Sequence, residues 1–194
     1  MYQSFRTGAK IRIIPPGHLV SNDGCIDLVI QRGAFGSGEH ETTESCLEIL
    51  AGLPGIKGTR VLDLGSGTGI LAIAALKLGA AHAVCVDIEA QAVATAQINC
   101  RLNGFDEQVT HITGTLDAVA EWGFDLILAN IYGDILLDLA QPLAAKLSPG
   151  GTMLLSGIAW QYNFDVRQAY GRLGCEVVRN HLLADFSTLH LRKP

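Results

Sequence analysis

From Arg60 to Arg192 the chain repeats one pattern, a short apolar run followed by a longer segment of helical spacing. Strands are expected at Arg60–Leu64, Ala83–Asp87, Val109–Thr113, Phe124–Ala129, Thr152–Ser156, Cys175–Leu183 and Ser187–Arg192. Helices are expected at Ile70–Leu78, Glu89–Leu102, Tyr132–Lys146 and Trp160–Leu173, with Pro142 shortening or kinking the third. Strands that alternate with helices are joined by right-handed crossovers, which makes the sheet mostly parallel. The pattern predicts an α/β fold, a doubly wound seven-stranded sheet with helices on both faces. Upstream, "AKIRIIPPG" and "IDLVIQRG" read as two strands joined by a turn rich in Gly, Asn and Asp, a β-hairpin extension. "ETTESCLEILAGL" has helical spacing, with Thr42 or Thr43 as its N-cap. There is no internal repeat or linker. One domain is predicted, with residues 1–40 an extension and residues 41–194 the main unit.

Composition narrows the function. Of 194 residues, 48% are apolar, enough for a substantial core. The five cysteines are scattered without a CxxC pair, so neither a zinc site nor a disulfide set is expected. A net charge of -5 and the lack of a Lys/Arg run argue against direct nucleic-acid binding. The most apolar window, "ILAIAALKLGAAHAVCVDI", is broken by Lys77, Gly79 and His82, and reads as helix, turn and strand instead of a membrane span. The start of the chain has no apolar signal region, and a cytoplasmic location is expected.

Two glycine-rich stretches lie close together. In "VLDLGSGTG", Gly65, Gly67 and Gly69 let the backbone turn sharply and approach a ligand, and the helix that follows offers free N–H groups to an anionic part of it. The next strand ends at Asp87, whose carboxylate can accept both hydroxyls of a ribose. A dinucleotide fingerprint would place a third glycine where Ile70 stands. Asp63, two residues before Gly65, would repel a pyrophosphate and favour a ligand with cationic groups, such as S-adenosylmethionine. This acid-x-Gly-x-Gly-x-Gly turn with a later ribose acid resembles motif I of the class I methyltransferases. Asp117 in "GTLDA" stands where such folds often meet the adenine ring, though a surface or helix-capping aspartate fits equally well.

"FDLILANIYGDIL" carries the second chemical signal. Its strand ends in Asn130, on the side where doubly wound sheets collect reacting groups. An amide carbonyl there can accept hydrogen bonds from a target amine and aim its lone pair at a methyl carbon. Methyl transfer is an in-line displacement in which alignment supplies much of the rate. A lysine amine, with an ordinary pKa of about 10.4, must also arrive neutral. Tyr132 is read as either a site aromatic or a packing residue.

In that order, "GAFGSGEHETTESCL", "VLDLGSGTGILAIAALKLGA", "VDIEAQAVATAQINCRLNG" and "DLILANIYGDILLDLA" resemble the PrmA family, S-adenosylmethionine-dependent methyltransferases of lysine and N-terminal amines on ribosomal protein L-eleven. The resemblance runs from about Arg6 to the C-terminus. It implies a class I methyltransferase (Rossmann-like) fold and cofactor contacts at Thr43, Gly65, Asp87 and Asn130. Phe35 and Gly36 match the loop over the methionine end of the cofactor, and Ser37 stands where the family usually has Thr. Members of the ribosomal type carry a separate N-terminal recognition domain, and this chain begins at what resembles their linker, "FRTGAKIRIIPPG". The implied partner is a protein substrate, possibly ribosomal.

Two other readings stand beside a protein N-methyltransferase: a small-molecule N- or O-methyltransferase, and a non-catalytic S-adenosylmethionine-binding accessory protein. His40 is read either as a general base or as a residue that orders its loop. Glu39 and Glu41 suit the helix dipole, with no further role expected. The loop from Phe35 to Thr43 is expected to be a lid, mobile without cofactor.

Overall fold

The computed structural model describes residues 2–18 and 23–194. Three short strands come first: β1 (Phe5–Thr7), β2 (Ile11–Ile14) and β3 (Ile26–Val29). Helix α1 (Glu41–Gly52) follows, then β4 (Arg60–Leu64), α2 (Ile70–Lys77), β5 (His82–Asp87), α3 (Ala90–Leu102), β6 (Val109–Thr113) and β7 (Phe124–Asn130). The chain closes with α4 (Gly133–Asp138), α5 (Ala140–Lys146), β8 (Leu147–Ala159), α6 (Trp160–Arg172), β9 (Glu176–Leu182) and β10 (Phe186–Arg192).

The main sheet has the order β6-β5-β4-β7-β8-β10-β9. Its first five strands are parallel, while β10 runs antiparallel to both β8 and β9. Chain order reverses direction between β4 and β7, which opens a crevice at their carboxyl ends. Side chains alternate across the sheet. Val61, Cys85, Leu128 and Leu154 join the core shared with α1 and α2, whereas Leu62, Val84, Ile127 and Leu155 join the core under α4 to α6. A strand buried on both faces must read as a continuous apolar run, which is how "RVLDL" and "FDLILAN" read.

The small sheet differs from the expected pairing. Its hairpin is β1 with β2, and β2 and β3 lie parallel, Ile11 opposite Ile26. A tight turn at Gly8 closes the hairpin of β1 and β2. The turn expected between β2 and β3 includes residues 19–22, which lie outside the described residues. Ile11, Ile13, Leu28 and Ile30 share a core with α1 and α2.

Most bounds shift by a residue or two, and two segments depart further for reasons of context. The segment Tyr132–Lys146 is two helices. The Pro142 ring would clash with the Asp138 carbonyl, four residues back, and α4 ends at that residue. Pro142 then sits in the first turn of α5, where its missing N–H has no intrahelical partner to lose. β8 is longer than Thr152–Ser156 because β7 also pairs with Leu147, across a register shift, and β10 extends the pairing to Ala159.

Candidate active site

At the carboxyl ends of β4, β5 and β7 lies a cavity of about 680 Å³. The turn after β4 forms its floor. Gly67 has φ +53°, and a Cβ there would overlap the Phe35 carbonyl oxygen, so only glycine fits. Asp87, at the end of β5, accepts the backbone N–H of Gly67 at 2.9 Å and that of Glu89 at 3.0 Å. A carboxylate has about four acceptor positions, so Asp87 retains capacity for a ligand's hydroxyls.

The second glycine stretch is fastened to the first. Thr68 donates its backbone N–H to the Phe35 carbonyl at 2.9 Å and its hydroxyl to the Gly36 carbonyl at 2.5 Å. Asn99 on α3 closes the connection: its Nδ2 donates to the carbonyls of Gln31 and Thr68, and its Oδ1 accepts the Gln31 N–H at 2.7 Å. The expected lid is therefore held by backbone bonds at its base.

α1 begins at Glu41, one residue before the expected caps. Its N-cap is His40, whose Nδ1 accepts the Thr42 N–H at 3.4 Å. Thr42 and Thr43 are buried within the first turn, which turns them away from the capping position. The His40 ring lies between Phe35 and Phe186, with centroids 5.6 and 5.4 Å away. That geometry orders the loop. Glu41 does more than suit the dipole, because its carboxylate accepts the N–H groups of Ala184 and Asp185 in the β9–β10 turn.

Asn130 ends β7 and lines the cavity. Its Nδ2 donates to Thr43 Oγ1 at 3.2 Å, while its buried Oδ1 has no partner among the described residues. Beside it, β8 bulges, and the register with β10 slips between Ser187 and Leu189. Gly157 sits there at φ +77°, where a Cβ would come within 2.5 Å of the Ile131 carbonyl oxygen.

Of the residues expected at the site, Phe35, Gly65, Gly67, Asp87 and Asn130 line the cavity, together with His40 and Tyr132. Gly36, Thr43, Asp63, Gly69 and Asp117 are not on its wall. Gly36 instead faces Thr68, and Gly69 packs on Ala96. Asp117 is exposed on a short turn, and its neighbours Thr115 and Leu116 line the cavity in its place.

Asp63 is only 1% exposed, and its Oδ2 accepts the Ala72 N–H at 3.1 Å. Burial pushes its carboxyl up to about 7, against the opposing Ala72 hydrogen bond and with a further upward push from the Asp87 charge. It shapes the turn from behind. Among the described residues, the acids on the wall are Asp87, Glu89 and Asp138, and no Lys or Arg accompanies them. Such a wall suits a ligand with cationic groups and opposes a pyrophosphate, which decides against a dinucleotide.

Sequence reasoning missed Gly157, Phe186 and Asn99. Gly157 had a usable signal, since a glycine inside a strand pattern marks a bulge or a close backbone approach. Phe186 and Asn99 had none, because each meets the site through contacts distant in sequence.

The family model described as ribosomal protein L11 methyltransferase (PrmA) matches residues 1–194. The chain belongs to the PrmA family. Curated PrmA-family relatives named ribosomal protein L11 methyltransferase include one from Pelobacter propionicus, 50% identical over 170 residues, covering 81% of this chain and 52% of that protein. Another, from Trichlorobacter lovleyi, is 35% identical over 199 residues, covering 99% of this chain and 65% of that protein. The chain thus spans between about half and two thirds of the length of these relatives. A crystal structure titled as a ribosomal protein L11 methylase from Lactobacillus delbrueckii subsp. bulgaricus superposes with a TM-score of 0.87 at 29% identity, covering 100% of both chains. With the sheet order described above, this gives the PrmA-family chain a class I methyltransferase (Rossmann-like) fold.

Proposed function

We propose that this chain is an S-adenosylmethionine-dependent N-methyltransferase that modifies lysine or N-terminal amines of a protein, a ribosomal protein foremost. The observation that carries the reading is Asn130, whose buried Oδ1 lacks a partner among the described residues at the edge of an acidic cavity. A buried acceptor left unpaired costs about 1–3 kcal/mol, so the site is built for a donor that arrives with a ligand. Relatives named for methylation of ribosomal protein L11 make that protein the first substrate to try.

The residues suit the cofactor. Asp87 offers free lone pairs for ribose hydroxyls, Thr115 and Leu116 line the cavity, and the wall acids complement a sulfonium and an ammonium. When bound, S-adenosylmethionine supplies a methyl group activated by its positive sulfur. The chain's own task is then alignment. Asn130 Oδ1 accepts an N–H of the incoming amine and holds its lone pair on line, a proximity effect that needs no acid. Ile131 and Phe186 supply apolar surroundings that disfavour the ammonium form and so help the amine arrive neutral.

Among the described residues no helix is long and apolar enough to cross a membrane, in keeping with a cytoplasmic enzyme. We read residues 1–40 as an extension of the catalytic domain, supported by the core that β2 and β3 share with α1 and α2.

The test is incubation of the purified protein with methyl-labelled S-adenosylmethionine, first with recombinant ribosomal protein L11 and then with a cell extract. Label on protein amines is expected. Label confined to small molecules would instead support the small-molecule methyltransferase. Cofactor binding without any transfer would leave an accessory protein.

A further inference from the structure

We infer that Trp160 and Phe164, with the acids around them, form a docking surface for a basic segment of the protein substrate beside its target amine. The inference rests on the function proposed above and adds where that protein is gripped.

The carboxyl end of the sheet carries charge of one sign. It is built from residues 33–41, 65–69, 87–92, 114–118, 130–139, 157–166 and 182–187, and these segments hold no Lys or Arg. Just outside them, Arg32 pairs with Glu39 at 2.5 Å, and Arg167 donates Nε to Asn163 Oδ1 at 3.0 Å. Asp134, Asp165 and Asp185 are exposed and take part in no ion pair among the described residues. Acids spread around the mouth of a cavity raise the local concentration of a cationic partner.

Large apolar side chains stand within this acidic field. Trp160 is 58% exposed and Phe164 is 62% exposed. They are four residues apart in the first turns of α6, so they are neighbours on one helix face. Both N–H groups of Trp160 are engaged. Its backbone N–H donates to the Asp185 carbonyl at 3.4 Å, and Nε1 donates to the Phe186 carbonyl at 3.0 Å. The indole is thus fixed at its polar edge while its ring stays open to solvent, which makes it a rigid anchor that loses little entropy on binding.

Phe186 in turn lines the cavity. The ridge therefore continues the rim on the β8 and β10 side, across β4 and β7 from Asp87 on β5. An apolar ridge among unpaired acids opposes nucleic acid and fits a peptide in which Lys or Arg residues flank an apolar side chain. The bases would face Asp165 and Asp185, and the apolar side chain would cover Trp160 and Phe164.

The experiment compares the wild type with Phe164→Ala and with a double charge reversal, Asp165→Lys with Asp185→Lys, using recombinant ribosomal protein L11 as the probe. Calorimetry reads the binding of L11 and of S-adenosylmethionine, transfer of labelled methyl reads kcat and KM, and light scattering reads the mass in solution. Phe164→Ala should weaken L11 binding and raise KM at least about tenfold, with kcat and cofactor Kd within about threefold. The charge reversal should raise KM at low salt and flatten the increase of KM with salt that the wild type shows.

The two variants act separately, so misfolding of one leaves the other decisive. L11 binding unchanged in both, or a parallel loss of cofactor affinity, would overturn the inference. Absence of L11 binding to the wild type would do the same. So would a wild-type dimer that Phe164→Ala dissolves, because a second copy of the chain would then cover the ridge. Failure of the parent reading looks different, since L11 would bind the wild type and lose affinity in the variants while no methyl group was transferred.

Discussion

The carbonyl oxygen of Phe35 accepts the backbone N–H of Thr68 at 2.9 Å, directly above the one position of the turn, Gly67, where a Cβ would strike that same oxygen. Two glycine-rich stretches some thirty residues apart thus meet backbone to backbone and form one wall of the cavity. The contact explains why Gly67 must lack a side chain, and it makes the wall sensitive to a single methyl group.

Gly67→Ala should therefore separate the two stretches. The strain of a left-handed alanine plus the collision costs about 1–3 kcal/mol. A lower Tm and a loss of S-adenosylmethionine affinity of at least about tenfold are expected, read by thermal unfolding and calorimetry. Unchanged affinity would mean that the junction does not belong to the cofactor site.

Asp87 holds the turn from below through Gly67 and Glu89 and keeps lone pairs for a ligand. Asp87→Ala removes both functions. Cofactor affinity should fall by about 100-fold or more, since hydrogen bonds to a charged group contribute about 1.5–3 kcal/mol each. Titration calorimetry checks this, and a loss of less than about threefold would remove Asp87 from the site.

Asp63 gives the protein a pH signature. Its folded-state carboxyl is raised to about 7 by burial, above the ordinary value of 3.8. Between those values the unfolded chain is ionised while the folded one keeps its proton. The contribution to stability is therefore full below about pH 4 and is lost as pH rises through about 7. Between pH 5 and 6 the wild type should lose about 1.4 kcal/mol per pH unit relative to Asp63→Asn. Denaturant unfolding of both proteins across pH 4 to 8 measures the difference, and parallel curves would show that Asp63 ionises freely when folded.

Glu41 joins the start of α1 to the β9–β10 turn. Glu41→Ala should cost about 1–2 kcal/mol, at the lower end for charged hydrogen bonds because the pair is solvent-accessible. The β9–β10 turn should also exchange its amide hydrogens faster. Exchange at Ala184 and Asp185 unaltered by the substitution would show that the turn holds itself.

Much of this protein is encoded locally. The strands Arg60–Leu64 and Val109–Thr113 have the bounds expected of them, and "GSGTG" followed by Asp87 specifies a turn with an acid beneath it. A strand buried on both faces must be apolar throughout, and a left-handed turn must use glycine; both demands are met within a few residues and so are written in order along the chain.

What only the tertiary structure decided are the meetings between distant segments. The direction of β3 beside β2, the contact of Asn130 with Thr43, the bulge at Gly157 and the aromatic stack of Phe35, His40 and Phe186 all depend on which strands become neighbours. Asp63 shows the limit most clearly. Its position in the sequence suggests an acid facing a ligand, yet the alternation of β4 turns it inward behind α2, and burial makes it a titrating group of the core instead of a wall of the cavity. Sequence spacing specifies which face of a strand a residue occupies. What that face meets is set by the order of the sheet, which is a property of the whole chain.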